Sequence, residues 1–227
     1  MGGVNMVDLE ALLISSLDDN YDENALPLRR LMTYYRCALK EIETKFRVLD
    51  EQFSMYYDRN PIESIETRIK KTSSIYRKLK SRGLPLTFES MESNIFDIAG
   101  IRIVSSFQDD IYMLADLLIG QDDIKLIERK DYIKNPKPNG YRSLHLIVEI
   151  PIFLANEKKW VKVEVQIRTI AMDLWASLEH KLRYKKELSQ QRLDEISQDL
   201  YECAEICATL DEKMGKLKRS EKKLETI

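Results

Sequence analysis

KNPKPNGYRSLHLIVEIP (134–151) and WVKVEVQIRTIAMDLW (160–175) are the two stretches of sequence that decide the fold. In 141–150, and again in 161–168, apolar residues alternate with polar or ionisable ones. A period of two is the pattern of a β-strand that buries one face. The apolar faces consist of Leu144, Leu146, Val148, Ile150, Val161, Val163, Val165 and Ile167. The sequence therefore predicts two neighbouring strands, each with one face for the core and one face rich in ionisable groups.

The ionisable face of these strands is open to two interpretations. The solvent-exposed face of an antiparallel sheet would look the same. Three features favour a binding site: His145, Tyr141 directly after an Asn-Gly turn, and the carboxylate of Glu164 among basic residues. Tyr141 itself could be a core tyrosine of the sheet or a platform on which a base stacks.

Composition narrows the possible partners. The chain has 227 residues, with 36 Lys and Arg against 38 Asp and Glu, and a formal net charge of −2. Proteins that bind duplex nucleic acid usually have a clear basic excess, so we expect no nucleic acid as a partner. Three cysteines without paired-motif spacing indicate a reducing compartment. Because no apolar run reaches the length of a membrane span, we predict a cytoplasmic protein without a membrane partner.

Long helices are predicted near both ends of the chain. Apolar residues recur at steps of three and four from Leu28 to Phe53, and again in a later seam. That seam consists of Leu193, Ile196, Leu200, Cys203, Cys207, Leu210, Met214 and Leu217. A helix over 170–186 is expected to face Trp175, Leu178 and Leu182 inward. Because two helices carry such apolar seams, we expect the chain to self-associate.

These patterns divide the chain into four parts. The parts are an acidic lead (1–24), an N-terminal helix (25–58), a central domain (59–188), and a C-terminal helix with a basic tail (189–227). A mixed sheet flanked by helices is therefore expected in the central domain, which makes the fold class α/β or α+β.

A basic helix is predicted next. Asn60-Pro61-Ile62-Glu63 has the pattern of a helix start, and Gly83 that of a helix end. Between Arg68 and Arg82 there are seven basic residues and no acidic one. Such a run is often only a solvated face, but Lys70, Ser74 and Lys78 would be one turn apart, which suits a polyphosphate lying along the helix.

Two carboxylates are candidates for a magnesium site. Asp97 lies where a helix end runs into a buried strand that carries Arg102, and Glu164 lies on the second strand. An acid at a strand mouth can be a magnesium ligand or only a cap. Since the sequence has neither a P-loop nor a GxGxxG motif, phosphates would be held by side chains. Mg²⁺ held by two carboxylates together with substrate phosphates would indicate phosphoryl or nucleotidyl transfer.

DIAGIRI (97–103), KDYIKNPKPNGYRSLHL (130–146) and VEVQIRTIAMDLWASLEHK (163–181) resemble the synthetase domain of the RelA/SpoT proteins. Within that family the chain is most similar to the single-domain small alarmone synthetases of the RelP type, over roughly 61–186. The resemblance implies a nucleotidyltransferase-like mixed sheet of about five strands, flanked by helices, and a homotetramer. It also implies that the protein transfers pyrophosphate from ATP to the 3′-hydroxyl of GDP or GTP in the stringent response, with Mg²⁺ as cofactor.

The resemblance also implies roles for individual residues. Glu164 would be the base that takes the 3′-hydroxyl proton, and Asp97 with Glu164 would hold Mg²⁺. ATP would be bound by Arg68, Lys70, Ser74, Lys78 and Arg102, of which the two arginines would enclose the adenine. The guanosine nucleotide would be bound by Lys137, Asn139, Tyr141, His145, Gln166 and Asp173.

Two departures from the family pattern matter. Where some members have an amide that reads guanine, this chain has Asp173, whose carboxylate can accept from both N1–H and the exocyclic amine of guanine. The preference between GDP and GTP therefore stays open. Larger relatives carry a hydrolase domain with a histidine-aspartate metal site, but the first histidine here is His145, so we expect no hydrolase activity.

Two rival functions remain. The first is a toxin-like relative that pyrophosphorylates another 3′-hydroxyl, such as the end of a tRNA; the balanced net charge argues against it. The second is a catalytically silent nucleotide sensor, and the retention of both Asp97 and Glu164 argues against it.

Overall fold

The computed structural model describes residues 26–57, 59–183 and 190–224. The helices are α1 (Leu26–Tyr56), α2 (Thr72–Ser81), α3 (Phe88–Asn94), α4 (Gln108–Ile119), α5 (Ile170–Arg183) and α6 (Gln190–Leu224). The strands are β1 (Ile62–Ile69), β2 (Ala99–Ser105), β3 (Lys125–Asp131), β4 (Leu144–Phe153) and β5 (Lys158–Thr169). The predicted acidic lead over 1–24 lies outside the described residues.

The strands form one mixed sheet in the order β1-β2-β5-β4-β3. Only β2 and β5 run parallel; the other three pairings are antiparallel. The two strands predicted from the alternating pattern are β4 and β5, with Leu144 opposite Ile167 and Ile147 opposite Glu164. The predicted five-stranded mixed sheet with long flanking helices is thus confirmed.

The apolar residues of β4 and β5 lie in a single core with residues of α1 and α4. Val163, Val165 and Ile167 have no exposed surface, and neither do Ile42 and Phe46 of α1. α1 runs across β1, β2, β4 and β5, so its predicted apolar seam packs on the sheet of its own chain. Burial of apolar surface contributes about 25 cal/mol per Å² to stability, so this layer is the main source of it. The polar residues of β5 lie on the opposite face of the sheet.

The prediction of one helix over 62–82 is wrong in its first half, because 62–69 form β1. The segment IESIETRI is rich in β-branched residues, which favour strands. The supposed helix cap serves another purpose: Asn60 Oδ1 accepts a hydrogen bond from the amide of Ile62 at 2.9 Å, an Asx-type turn. The Asn60 amide also donates to Asp50 Oδ1 at 2.6 Å, which ties the start of β1 to the end of α1.

The second half of that segment is helical and ends at the predicted place. Gly83 has φ of 63°, a left-handed conformation that other residues rarely adopt. The amide of Leu84 donates to the carbonyl of Leu79 at 3.1 Å, as in a Schellman cap. Because α2 begins only at Thr72, Ser74 and Lys78 are on the helix, whereas Lys70 lies between β1 and α2.

The apolar residues of α5 and α6 are only partly covered by their own chain. Trp175 and Leu200 are buried, but Leu178 and Leu182 remain 47% and 42% exposed, which contradicts their predicted inward orientation. In the seam of α6, Cys203 is exposed, and so are Leu210, Met214 and Leu217. The side chain of Leu193 lies outside the described residues. The apolar residues that recur at steps of three and four do share one face of α6. The rest of the chain covers only one end of that face.

A hydrogen bond and an ion pair attach α6 to the body of the protein. Near its start, the Trp175 indole donates to the carbonyl of Leu200 at 2.7 Å. Near its end, Lys218 pairs with the buried Asp110 of α4 at 2.9 Å, so this residue of the predicted basic tail is not simply solvated. No helix within 26–57, 59–183 and 190–224 is both long and apolar enough to cross a membrane.

Candidate active site

The polar face of the sheet carries a cleft of about 350 Å³. It is bounded by β1, β2 and β5 and by the turn that precedes β2. The lining residues are Glu66, Thr67, Arg68, Asp97, Gly100, Ile101, Arg102, Glu164, Gln166 and Arg168. This volume is typical of a small-molecule site, and the cleft contains both predicted magnesium carboxylates.

Asp97 lies between two lysines. Its Oδ2 accepts from Lys70 Nζ at 2.9 Å and from Lys78 Nζ at 2.8 Å. Burial alone would favour the protonated acid, but the ion pairs with Lys78 and Lys70 outweigh it, and the pKa of Asp97 lies below its usual value. Asp97 is therefore ionised at neutral pH. We call these three residues the lysine cluster.

Arg68 and Arg102 lie on adjacent strands at the mouth of the cleft. Arg68 is paired in register with Gly100, and Glu66 with Arg102. Arg102 Nη1 binds Glu66 Oε2 at 3.0 Å and lies 3.5 Å from Asp173 Oδ1. The two arginines thus flank one edge of the cleft, as a pair that encloses a flat base would have to do.

Glu164 projects from β5, and its two carboxylate oxygens have different partners. Oε1 lies 3.4 Å from His145 Nδ1, and Oε2 accepts from Gln166 Nε2 at 2.8 Å. Burial and the nearby charge of Asp97 raise the pKa of Glu164, but the contacts with His145 and Gln166 outweigh them, so the pKa lies below its usual value. An ionised Glu164 can accept a proton.

Arg168 closes a ring of side chains around Glu164. Its Nη2 donates to Tyr141 Oη at 2.6 Å and to Gln166 Oε1 at 2.7 Å. Tyr141 Oη lies 2.8 Å from His145 Nε2, and His145 and Gln166 both reach Glu164. We call Glu164, His145, Tyr141, Arg168 and Gln166 the five-residue network.

Arg168 was missed in the sequence, although a signal for it was present. It is the last residue of the alternating polar set on β5, and its side chain is only 6% exposed. A buried arginine needs partners that compensate for its lost hydration. In addition to the two network bonds, Nη1 binds Asp173 Oδ1 at 3.2 Å, so Asp173 lies beside two arginines, Arg168 and Arg102.

The loop 132–143 places Tyr141 at the rim of the network. The amide of Tyr141 donates to Asn139 Oδ1 at 3.2 Å, so the Asn139 side chain shapes the turn. The ammonium of Lys137 lies 4.6 Å from the centre of the Tyr132 ring and 4.7 Å from that of Tyr141. Burial raises the pKa of Tyr141, and the charge of Arg168 offsets part of that rise, so the hydroxyl keeps its proton at neutral pH.

The same loop packs against α6, a contact that no pattern in the sequence predicts. Gly140 has φ of 85°, and a Cβ placed on it would lie 2.5 Å from the Ala204 Cβ. Next to it, Arg142 Nη2 donates to Glu205 Oε1 at 3.0 Å. The Tyr141 ring centre lies 6.4 Å from that of Trp175. α6 is therefore part of the support of this loop.

The predicted site residues fall into two groups. Arg68, Lys70, Lys78, Asp97 and Arg102 are brought together at the cleft, whereas Ser74 Oγ accepts a hydrogen bond from Arg77 Nη2 at 3.2 Å, within α2. Tyr141, His145, Glu164 and Gln166 meet in the five-residue network, of which Glu164 and Gln166 line the cleft. Lys137 and Asn139 stay in the loop, near Tyr141. The roles given to these residues remain predictions.

Asp97 and Glu164 suit a magnesium ion. Asp97 Oδ1 is buried and has no hydrogen-bond partner among the described residues, so one carboxylate oxygen is left for another ligand. The described part of the chain contains no group of three or more His, Cys, Asp or Glu side chains that could hold an ion. Mg²⁺ commonly uses only one or two carboxylates, together with water and substrate phosphates.

The chain was compared with known protein families. A family model described as "Region found in RelA / SpoT proteins" matches residues 67–189. The chain is 46% identical over 185 residues to the GTP pyrophosphokinase YwaC of Bacillus subtilis (strain 168), a match that covers 82% of this chain and 87% of the relative.

Solved structures agree with this likeness. The small alarmone synthetase 2 from Bacillus subtilis matches with a TM-score of 0.75 and 43% identity, over 85% of this chain and 98% of that chain. The small alarmone synthetase 1 from the same organism, bound to its product pppGpp, matches with a TM-score of 0.78 and 33% identity, over 86% and 98%. Sequence and fold therefore point to the same relatives.

Proposed function

The chain belongs to the family of RelA and SpoT proteins, as a small alarmone synthetase, and we propose that its cleft transfers pyrophosphate from ATP to the 3′-hydroxyl of GDP or GTP. It is a GTP pyrophosphokinase, and its products are ppGpp or pppGpp and AMP. The observation that carries the proposal is that Asp97 and Glu164 line one cleft with a pair of arginines and two lysines at its edge.

ATP binds on the side of the lysine cluster. Arg68 and Arg102 enclose the adenine, which the weakly hydrated, planar guanidinium favours. Lys70 and Lys78 bind the phosphates as point charges, while Ser74 offers a hydroxyl on α2, one turn before Lys78. Since both lysines are bound to Asp97 in the structure, the phosphates compete with that carboxylate for them.

The guanosine nucleotide binds on the side of the five-residue network. Tyr141 stacks on the guanine, which contributes about 1–3 kcal/mol for a base on an aromatic ring. Lys137 and His145 meet its phosphates, Asn139 holds the shape of the loop, and Asp173 is placed to accept from guanine. The 3′-hydroxyl then points toward Glu164.

Glu164 acts as the general base. It takes the 3′-hydroxyl proton as the ribose oxygen bonds to the β-phosphorus of ATP, and the bond between that phosphorus and the α-phosphate oxygen breaks to release AMP. Gln166 keeps the carboxylate in position through Oε2. Positioned bases contribute about 10²–10⁴-fold to a rate. Asp97 and Glu164 would hold Mg²⁺, which would neutralise part of the phosphate charge.

A nucleotide assay tests this function. Purified protein is incubated with Mg²⁺ and ATP labelled in its β-phosphate, with GDP, GTP or tRNA as the acceptor, and the products are separated. We expect label in ppGpp or pppGpp together with unlabelled AMP. Label on tRNA, or AMP without a guanosine tetraphosphate or pentaphosphate, would contradict the proposal, and the GDP and GTP arms would reveal the preferred acceptor.

We also propose that the protein is a homo-oligomer, with the tetramer as the expected state. The support is an apolar surface on α5 and α6 that this chain leaves exposed. It consists of Ile170, Leu174, Leu178, Leu182, Ile206, Leu210, Met214 and Leu217, each at least 42% exposed. Surfaces of this kind usually mark interaction sites.

The oligomeric state is tested by light scattering after gel filtration. The expected mass is four times that of the 26.7-kDa chain. Leu174→Glu should shift the mass toward smaller species, because a buried unpaired carboxylate destabilises an interface. Leu117→Glu, on the exposed side of α4, serves as the matched control and should keep the wild-type mass. A monomeric wild type would contradict the proposal.

A further inference from the structure

We propose that Arg168 is a positioning residue that couples the two nucleotide subsites, so that ATP binding strengthens binding of the guanosine nucleotide. The inference rests on the proposed function, because it takes the adenine to lie against Arg102 and the guanine to lie against Tyr141. It adds a residue and a direction of coupling to that function. Arg168 positions the residues of the guanosine side, and its own position depends, through Asp173, on whether ATP is bound.

The first step is that Arg168 holds the guanosine side in place. A single guanidinium nitrogen, Nη2, lies 2.6 Å from Tyr141 Oη and 2.7 Å from Gln166 Oε1. The same Tyr141 oxygen lies 2.8 Å from His145 Nε2, so Arg168 and His145 together hold the Tyr141 hydroxyl. Arg168 thus sets the ring of Tyr141 and the orientation of the Gln166 amide at the same time.

The second step is that the base depends on the same nitrogen. An amide whose oxygen accepts from Arg168 must present its Nε2 to Glu164, and that nitrogen lies 2.8 Å from Glu164 Oε2. Without Arg168, the Gln166 amide could flip and present its oxygen to the carboxylate, which would be repulsive. Arg168 therefore acts on Glu164 through Gln166, without any contact of its own to the base.

The third step is the link to the ATP side. Asp173 Oδ1 lies 3.2 Å from Arg168 Nη1 and 3.5 Å from Arg102 Nη1, so two guanidinium groups share one carboxylate oxygen. When Arg102 turns to stack on adenine, Asp173 is left to Arg168 alone. The pair between Arg168 and Asp173 then tightens, and Arg168 holds Tyr141 and Gln166 more firmly.

The unpaired donors of the two arginines support such a rearrangement. Among the described residues, the Nε atoms of Arg102 and Arg168 are buried without a hydrogen-bond partner. Buried donors without partners are unfavourable, and they are rare in a finished arrangement. Both unpaired donors belong to the arginines that share Asp173, and both arginines line the cleft. These two donors are therefore available to new partners when the side chains around Asp173 rearrange.

The test is a binding equilibrium with both ligands. The dissociation constant of GDP is measured by calorimetry in the presence of Mg²⁺, with and without saturating α,β-methylene ATP, whose α–β bridge cannot break. We expect the analogue to tighten GDP binding about tenfold in the wild type, within the usual range of coupling between sites. Equal GDP affinity with and without the analogue in the wild type would refute the coupling.

Two variants separate positioning from support of the fold. Arg168→Lys keeps the charge but loses the two-armed geometry. It should weaken GDP binding about tenfold, leave the affinity for the ATP analogue within about twofold, and bring the coupling factor close to one. Asp173→Asn should also bring the coupling factor close to one, and because Asp173 is itself placed to accept from guanine, it should in addition weaken GDP binding without the analogue.

Three outcomes would overturn the proposal. They are an Arg168→Lys variant with unchanged GDP affinity and coupling; a variant that loses both ligands together with its thermal stability, since Arg168 would then only support the fold; and an Asp173→Asn variant in which the analogue still tightens GDP binding about tenfold, since the coupling would then not pass through Asp173. Arg47→Lys, which alters an exposed arginine paired with Glu43 on α1, is the matched control. Because nothing is transferred in this experiment, its failure is distinct from a failure to make ppGpp.

Discussion

The two sides of the cleft hold their side chains by different means. In the lysine cluster, Lys70 and Lys78 bind a single oxygen of Asp97 and have to exchange that carboxylate for phosphate. In the five-residue network, each side chain contacts the next around a closed ring. On the proposed ATP side we therefore expect substrate to rearrange the ion pairs, whereas on the proposed guanosine side the polar groups are already bound to one another.

This difference indicates that the two sides depend on different properties, the ATP side on charge and the guanosine side on geometry. Charged groups that pair with one another stay ionised and in place until a more highly charged ligand arrives. A base, in contrast, must already be correctly placed when the hydroxyl arrives, because a misplaced group loses much of its rate advantage. Variants on the ATP side should therefore change mainly affinity, and variants in the network should change turnover or guanosine affinity.

The largest effect is expected for Glu164→Gln. The amide cannot take the 3′-hydroxyl proton, so turnover should fall about 10²–10⁴-fold, while the affinity for α,β-methylene ATP stays within a few-fold of the wild type. Rapid-quench assays of AMP formation and calorimetry measure the two quantities. Loss of ATP binding would instead indicate that Glu164 is needed for the structure of the cleft.

Next in size is the double variant Lys70→Ala with Lys78→Ala. Hydrogen bonds to charged groups are worth about 1.5–3 kcal/mol each, so the affinity for ATP should fall about 100-fold or more, with GDP binding nearly unchanged. The removal of both cations should also raise the pKa of Asp97, because burial would then dominate. Lys80→Ala, two residues beyond Lys78 on α2, is the control. A loss of GDP affinity equal to that of ATP would remove the distinction between the two sides.

Substitutions of Tyr141 test the guanosine side of the cleft. Tyr141→Ala should weaken GDP binding roughly 5- to 150-fold through lost stacking and leave the ATP analogue unaffected. Tyr141→Phe keeps the ring and loses only the hydroxyl bonds to Arg168 and His145, so its loss should be smaller. Equal GDP affinities for the two variants would mean that the hydroxyl, rather than the ring, carries the binding.

The smallest effect is expected for Gly140→Ala. The left-handed backbone of this residue costs an alanine about 1–2 kcal/mol, and the added Cβ meets Ala204 at 2.5 Å. KM for GDP should rise several-fold with little change in KM for ATP. In the double variant with Ala204→Gly, the steric part should be relieved and part of the GDP affinity restored. No recovery at all would show that the backbone conformation alone sets the loop.

Much of the fold and the site could be read from the sequence. The alternation in 161–168 places Glu164 and Gln166 on one face of β5, and the register then brings Gln166 opposite His145. A short strand pair leaves few other arrangements once its apolar face is buried. The convergence of Asp97 on Glu164 followed because the strand after Asp97 is the parallel neighbour of β5.

Other features could not be read because they depend on contacts between distant segments. Asn60-Pro61 matches a helix start, but its side chain is used by a turn and by Asp50 of α1. A pattern along β5 shows that Arg168 shares a face with Glu164, but not that it is buried. Likewise, Leu178 and Leu210 share helix faces with buried residues, and only the packed structure reveals that the chain leaves them exposed.

The position of β1 at the edge of the sheet carries a consequence for handling the protein. An edge strand has unpaired backbone groups on its outer side and can recruit another strand, which leads to aggregation. Glu63, Glu66 and Arg68 are exposed along β1, and charges of this kind discourage such pairing. An inhibitor or a redesign that neutralises Arg68 and Glu66 would therefore lower the solubility of the protein as well as its affinity for the nucleotide.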